Sequence, residues 1–179
     1  AKRMIERGHQ YVGIDLSDEM LAAAREANPA AEFRNANLVD LLGIPDASFD
    51  WAACLFSTLG MIRGDENRRA ALRTFHRILK PGGAVVLHVH NRWFHGLGLR
   101  LFSSADKTMP QAYGGAPLTL RHYAKREIVR DLASAGFVVE TIKPVGRGTD
   151  GLLGSSWLLP AFRAYGYLIA ARKPSFKAT

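Results

Sequence analysis

Residues 11–17 read Tyr-Val-Gly-Ile-Asp-Leu-Ser. Residues 11–14 are a short apolar run of strand type, and Asp15 sets an acid at its carboxyl tip. Ser17 then stands as an N-cap, with Asp18 and Glu19 in the first helical turn, where negative charge suits the helix dipole. Met20, Leu21, Ala24 and Ala27 recur at helical spacing, and Asn28-Pro29 stops the helix. A strand that enters a helix over an acidic tip is half of an alternating α/β unit. Open α/β sheets bind ligands outside the carboxyl ends of their strands, and an acid there can accept hydrogen bonds from ribose hydroxyls. The competing reading of Asp15 is a helix-capping aspartate.

The alternation continues on both sides of a proline-marked loop. Residues 1–8 read as the tail of a helix ending at Gly8, and residues 32–37 as a strand. A loop with Gly43 and Pro45 leads to a strand over residues 50–56, apolar almost throughout, as in a parallel sheet covered on both faces. Leu72, Phe75, Ile78 and Leu79 predict a helix over residues 66–79. Pro81-Gly82-Gly83 breaks it and turns the chain into a strand over residues 84–90. Residues 91–123 read as a long irregular stretch holding a short helix near residues 93–102, and so as a lid or substrate-binding insertion. A helix over 124–135, with Ile128, Leu132 and Ala135 on one face, and strands over 137–142 and 164–171 complete an α/β pattern in one domain of 179 residues.

Composition sets the class. The chain is 47% apolar and 22% charged, ordinary for a globular domain, and no apolar run approaches the roughly 20 residues that span a bilayer. The charged start is not a secretory signal, and the single cysteine, Cys54, excludes an internal disulfide and reads as a small core hydrophobe. The expected compartment is the cytoplasm. Residues 1–90 hold 11 Lys/Arg against 11 Asp/Glu, and residues 91–179 hold 13 against 5, so the whole +8 excess lies in the second half. Such a face could attract RNA, anionic lipid or an acidic small molecule, or be a solvated basic surface.

Several polar positions stand where a sheet would open. Asn37 follows a strand, so its amide could meet an adenine edge or close an ordinary turn. Residues 55–60, Leu-Phe-Ser-Thr-Leu-Gly, change from strand to small polar residues. His88 and His90 share a face of their strand and read as packed or surface histidines or as candidate general bases; as a His-x-His pair they lack a third metal ligand, and no metal is expected. Asn91, Arg92 and Trp93 follow as candidate contacts to an acceptor. Tyr113, His122, Tyr123, Trp157 and Phe162 fit a lid or aromatic packing. Gly146, Gly148 and Gly151 match a GxGxxG pattern, but no helix opens after them and they read as loop glycines.

Order and spacing together carry a resemblance. Asp15 in Tyr-Val-Gly-Ile-Asp-Leu-Ser, Asn37, the lead-in Asp46-Ala47-Ser48-Phe49-Asp50 and the turn Leu79-Lys80-Pro81-Gly82-Gly83 resemble the class I S-adenosylmethionine-dependent methyltransferases, of the methyltransferase type 11/25-like domain. Lys125-Arg126-Glu127-Ile128, Ala135-Gly136-Phe137 and residues 165–172 look like that family's late helix and last two strands, the last antiparallel. The resemblance implies a Rossmann-like doubly wound, mostly parallel sheet with an antiparallel last strand. It implies S-adenosylmethionine as cofactor, with Asp15, Leu16, Asn37, Leu38, Phe56 and Ser57 binding it. It also implies an opening strand and glycine-rich loop that this sequence lacks, so a natural protein longer by on the order of 30 residues is expected. The implied activity is methyl transfer, with a small-molecule acceptor favoured over RNA. A nicotinamide-dependent dehydrogenase and a non-catalytic binding protein of the same fold are the alternatives.

Overall fold

The computed structural model describes residues 2–94, 105–112, 116–146 and 164–175. The chain forms two compact units, Ala1–Ile44 and Pro45–Thr179.

The first unit holds α1 (Lys2–Ile5), β1 (Val12–Asp15), α2 (Asp18–Ala27) and β2 (Glu32–Asn35). β1 and β2 pair in parallel, with Asp15 opposite Asn35. Ser17 caps α2 as its sequence predicts, its Oγ accepting the Met20 N–H at 3.2 Å. The apolar stripe of α2 is narrower than its spacing suggested. Leu21 is buried, but Met20 is 62% exposed and Ala27 also lies at the surface. Within this unit a two-stranded sheet offers α2 little surface to cover, so only the residue facing it is buried.

The second unit holds β3 (Phe49–Cys54), α3 (Thr58–Met61), α4 (Asp65–Ile78), β4 (Leu79–His90), β5 (Asp106–Ala112), β6 (Ala116–Arg121), α5 (Lys125–Ser134), β7 (Val138–Val145) and β8 (Gly166–Arg172). Four strands form a sheet in the order β3-β4-β8-β7. β3 and β4 are parallel, and β8 runs antiparallel to both β4 and β7. Thus β3, β4 and β7 point one way and the last strand is reversed between two of them, as the resemblance implies. The core joins Leu72, Phe75 and Ile78 of α4, Val85, Leu87 and Val89 of β4, Ile128 and Leu132 of α5 and Ile169 of β8, all buried. Cys54 is buried among them; burial disfavours its thiolate and pushes the thiol up to about 11, so it behaves as a hydrophobe.

Two expectations are corrected. Residues 91–123 are not irregular throughout: β5 and β6 pair as an antiparallel hairpin, and residues 91–94 form a bridge and turn rather than a helix. Residues 95–104, where the rest of the expected short helix would fall, lie outside the described residues, as do Tyr113, Trp157 and Phe162. Leu79 to Gly83 is also more than a turn. Strand pairing resumes at once, with Phe49 opposite Leu79 and then Trp51 opposite Ala84, so β4 carries several extra residues there. Gly82 takes φ +80° in this bulge, a conformation that favours glycine.

The end of α4 is closed from another element. Lys173 Nζ donates to the carbonyls of His76 and Leu79, both at 2.8 Å. A cation on the last carbonyls of a helix satisfies orphan acceptors and complements the dipole. Lys173→Met is expected to cost about 1–2 kcal/mol, read as a lower urea midpoint at unchanged slope.

Candidate functional site

In the first unit the carboxyl ends of β1 and β2 lie side by side. Asp15 is exposed at the tip of β1, and its Oδ1 accepts the Ser17 N–H at 2.9 Å. That bond fixes the carboxylate beside the helix start while leaving it accessible. Asn35 Nδ2 donates to Asp18 Oδ1 at 2.7 Å and to the Leu16 carbonyl at 3.3 Å, which ties the strand tips together. Leu16 is 65% exposed. Asn37 follows directly, because the Ala36 N–H reaches the Asp15 carbonyl at 3.2 Å. Its Oδ1 accepts the Val39 N–H at 3.0 Å, so the amide oxygen closes its own turn, the ordinary alternative of the sequence reading. Leu38 is half-buried in that turn.

In the second unit β3 opens into a strained corner. Phe56 and Ser57 take φ +54° and +61°, two successive non-glycine residues in the left-handed region. Each such residue costs roughly 1–2 kcal/mol, and such strain concentrates at functional sites. Ser57 is fully buried and its Oγ accepts the His90 N–H at 3.2 Å, which locks the corner to the end of β4. The Phe56 ring is 81% exposed. Thr58 returns both its N–H and its hydroxyl to the Leu55 carbonyl.

The end of β4 gathers the remaining candidates. His88 and His90 lie 5.5 Å apart by ring centroid, on one face as their spacing predicts. Asn91 is fully buried and its side chain is engaged with backbone: Nδ2 donates to the Ala164 carbonyl at 2.9 Å, and Oδ1 accepts the Trp93 N–H at 3.1 Å. Arg92 meets Glu127 of α5 at 2.8 Å. It borders a half-buried charge network in which Arg68 pairs with Asp65, and Arg121 lies 3.8 Å from Asp106 and 3.9 Å from Asp65. Asn91 and Arg92 therefore brace the fold, and Trp93 is half-buried in the turn between them and Phe94. Sequence reasoning left His122 and Tyr165 out of this cluster, although the His90 ring lies 5.2 Å from one and 4.5 Å from the other. Asn91 pairs with Tyr123, which brings residues 122–123 to this strand end from beyond the hairpin. No local motif signals that approach.

Burial holds His88 and His76 below the ordinary histidine value of 6.5, and Lys173 adds to the effect at His76. The sign follows directly. Below about 6.5 an unfolded chain takes up these protons while the folded chain resists them, so stability is full above that value and falls as the pH drops toward the lowered folded values. The melting temperature is expected to be lower at pH 5.5 than at 7.5, with a smaller difference in the doubly substituted chain His76→Gln/His88→Gln.

Residues 1–87 match the family described as "Methyltransferase domain". A demethylmenaquinone methyltransferase of Chlorobaculum parvum is 35% identical over 80 residues, which are 45% of this chain and 31% of that one. The chain spans about half or less of the length of the curated relatives it matches. Among solved structures, an S-adenosylmethionine-dependent methyltransferase from Methanosarcina mazei superposes with a TM-score of 0.75 at 19% identity, covering 97% of this chain and 86% of that one. The Burkholderia thailandensis 1,6-didemethyltoxoflavin N1-methyltransferase, solved with 1,6-didemethyltoxoflavin and S-adenosylhomocysteine, gives 0.65 at 19% identity, covering 97% and 65%. The family match thus covers just under half of the chain, and the likeness to the solved S-adenosylmethionine-dependent methyltransferases shows their fold.

Proposed function

We propose that the protein transfers a methyl group from S-adenosylmethionine to a small-molecule acceptor. The observation that carries this reading is Asp15, an accessible carboxylate at a strand tip inside the family-matched segment, held by the Ser17 N–H. Its position and charge suit the two hydroxyls of a ribose. Leu16 and Leu38 offer apolar edges beside it, and Asn37 presents the amide nitrogen that its turn does not use. S-adenosylmethionine supplies a methyl group already activated on sulfur, so the protein's work is binding, orientation and exclusion of water.

A small acceptor fits the charge distribution better than RNA. In the second half, Arg92, Arg121 and Arg172 are committed to carboxylates and Lys173 to carbonyls, while Lys125, Arg126 and Arg130 stay exposed on α5. Among the described residues, those four committed basic side chains thus hold the fold rather than stand open to phosphate. The Chlorobaculum relative is named for demethylmenaquinone, a small molecule, which supports the same choice. Among the described residues no helix is long and apolar enough to cross a membrane. Isothermal titration of S-adenosylmethionine and S-adenosylhomocysteine into the chain tests the reading. Saturable binding of both is expected, and a folded chain that binds neither overturns it.

A further inference from the structure

We propose that Asn35 is a positioning residue for the cofactor's ribose: from the tip of β2 it holds the turn between β1 and α2 in the shape that presents the Asp15 carboxylate to the two ribose hydroxyls. This rests on the cofactor reading above and lies wholly within the first unit. β1 and β2 run parallel, with Gly13 opposite Phe33 and Asp15 opposite Asn35. Side chains alternate along a strand, so positions 13, 15, 33 and 35 share one face of this sheet. The first pair shows how closely the strands approach. A Cβ on Gly13 would stand 2.5 Å from the Phe33 ring, and Tyr11 meets that ring edge-on at 6.2 Å. Two residues further on, the same register sets Asn35 beside Asp15 and the turn that leaves it.

The Asn35 amide crosses to that turn. Its Nδ2 donates to Asp18 Oδ1 at 2.7 Å and to the Leu16 carbonyl at 3.3 Å. A carboxylate and a carbonyl can only accept, so the amide nitrogen is the atom that faces them. Asp18 is the first residue of α2, and the bond occupies its carboxylate while Asp15 stands as the acid at the strand tip. The turn is held from within as well, by the Ser17 N–H on Asp15 Oδ1 at 2.9 Å, and from β2 by the Ala36 N–H on the Asp15 carbonyl at 3.2 Å. Asp15, Leu16 and Asp18 are all exposed. Packing therefore does little to fix the turn, and these hydrogen bonds set its shape.

Asn35 is exposed, and β2 keeps its pairing with β1 whatever side chain stands there, so the amide contributes little to the fold. Its value is preorganisation. A carboxylate already aimed at where two hydroxyls will lie gives up less conformational freedom on binding. The effect of Asn35 is thus confined to ligands that carry those hydroxyls, and it vanishes when Asp15 is removed. A direct contact between Asn35 and the ligand would not depend on Asp15 in this way.

The test titrates the full chain with adenosine and with 2′,3′-dideoxyadenosine, which lacks both hydroxyls, beside S-adenosylhomocysteine and thermal melting. The unsubstituted chain is expected to bind adenosine at least about tenfold more tightly than the dideoxy ligand, as hydrogen bonds to a charged acceptor allow. Asn35→Ala is expected to cut that preference to about threefold or less, half of the tenfold difference in free energy, at unchanged melting temperature and unchanged dideoxyadenosine affinity. Asn35→Asp keeps the side chain's size but sets a second carboxylate against Asp18, and is expected to lose the preference as well. In Asp15→Ala the preference is gone, and adding Asn35→Ala changes nothing further. A preference that survives in both Asn35 variants overturns the proposal. So does a residual preference in Asp15→Ala that Asn35→Ala then removes, or a melting temperature that falls with the preference. A chain that binds S-adenosylhomocysteine but does not tell the two nucleosides apart overturns the proposal and leaves the methyl-transfer reading standing. A chain that prefers adenosine through Asn35 yet does not bind S-adenosylhomocysteine overturns the methyl-transfer reading and leaves the positioning role in place. A folded chain that binds none of the three overturns both.

Discussion

Asp15→Ala is expected to weaken S-adenosylhomocysteine binding roughly 10- to 100-fold at unchanged melting temperature. A hydrogen bond to a charged acceptor contributes about 1.5–3 kcal/mol, and 1.4 kcal/mol is tenfold in affinity. Asp15 is exposed, so the lower part of that range applies to each ribose hydroxyl. The fold stands to lose little. The carboxylate's own bond is to the Ser17 N–H, while α2 is capped by the Ser17 hydroxyl and β1 is held by its pairing with β2. Asp15→Asn is the sharper comparison. It keeps an oxygen for Ser17 and loses the charge, so an intermediate loss of affinity is expected. Titration calorimetry beside thermal melting reads both quantities. A melting temperature that falls with the affinity would make Asp15 a capping residue, the other reading its sequence allowed.

The parts of this molecule legible in sequence are those where neighbours along the chain decide the outcome. α4 buries Leu72, Phe75 and Ile78 because their spacing sets them on one face, and Ser17 caps α2 because a hydroxyl there reaches the first free N–H. The reversed last strand was legible through the family likeness of residues 165–172, not through any local propensity. The β5–β6 hairpin was hidden by its own composition. Pro110 and Pro117 fall within its strands, and prolines read as breakers. A two-stranded hairpin tolerates them because each strand has an edge without a partner in its sheet, so a missing N–H breaks no ladder there. The candidate site divides the same way. His88 and His90 share a face by the period of a strand, whereas His122 and Tyr165 arrive through main-chain pairing of distant segments. A polar side chain at a strand end announces itself in sequence, but its partner does not.

Asn91 shows the consequence, and Asn91→Ala is expected to cost about 2–5 kcal/mol of stability. The sequence reading offered it as an acceptor contact, yet the amide is fully buried and clamps two backbone groups, the Ala164 carbonyl and the Trp93 N–H. Truncation leaves both partners without that bond, and a buried polar group so left costs about 1–3 kcal/mol. It also loosens the junction where Asn91 N–H holds the Tyr165 carbonyl and so Tyr165 beside His90. Asn91→Asp is expected to be at least as damaging, although it is nearly isosteric. Its oxygen can still accept from Trp93, but a second oxygen replaces the donor facing the Ala164 carbonyl, and burying a carboxylate carries its own desolvation cost. Urea unfolding of the three chains checks the order. Measured below the melting transition, S-adenosylhomocysteine affinity should change little in Asn91→Ala. A variant that keeps its urea midpoint would show that the amide does not brace these segments.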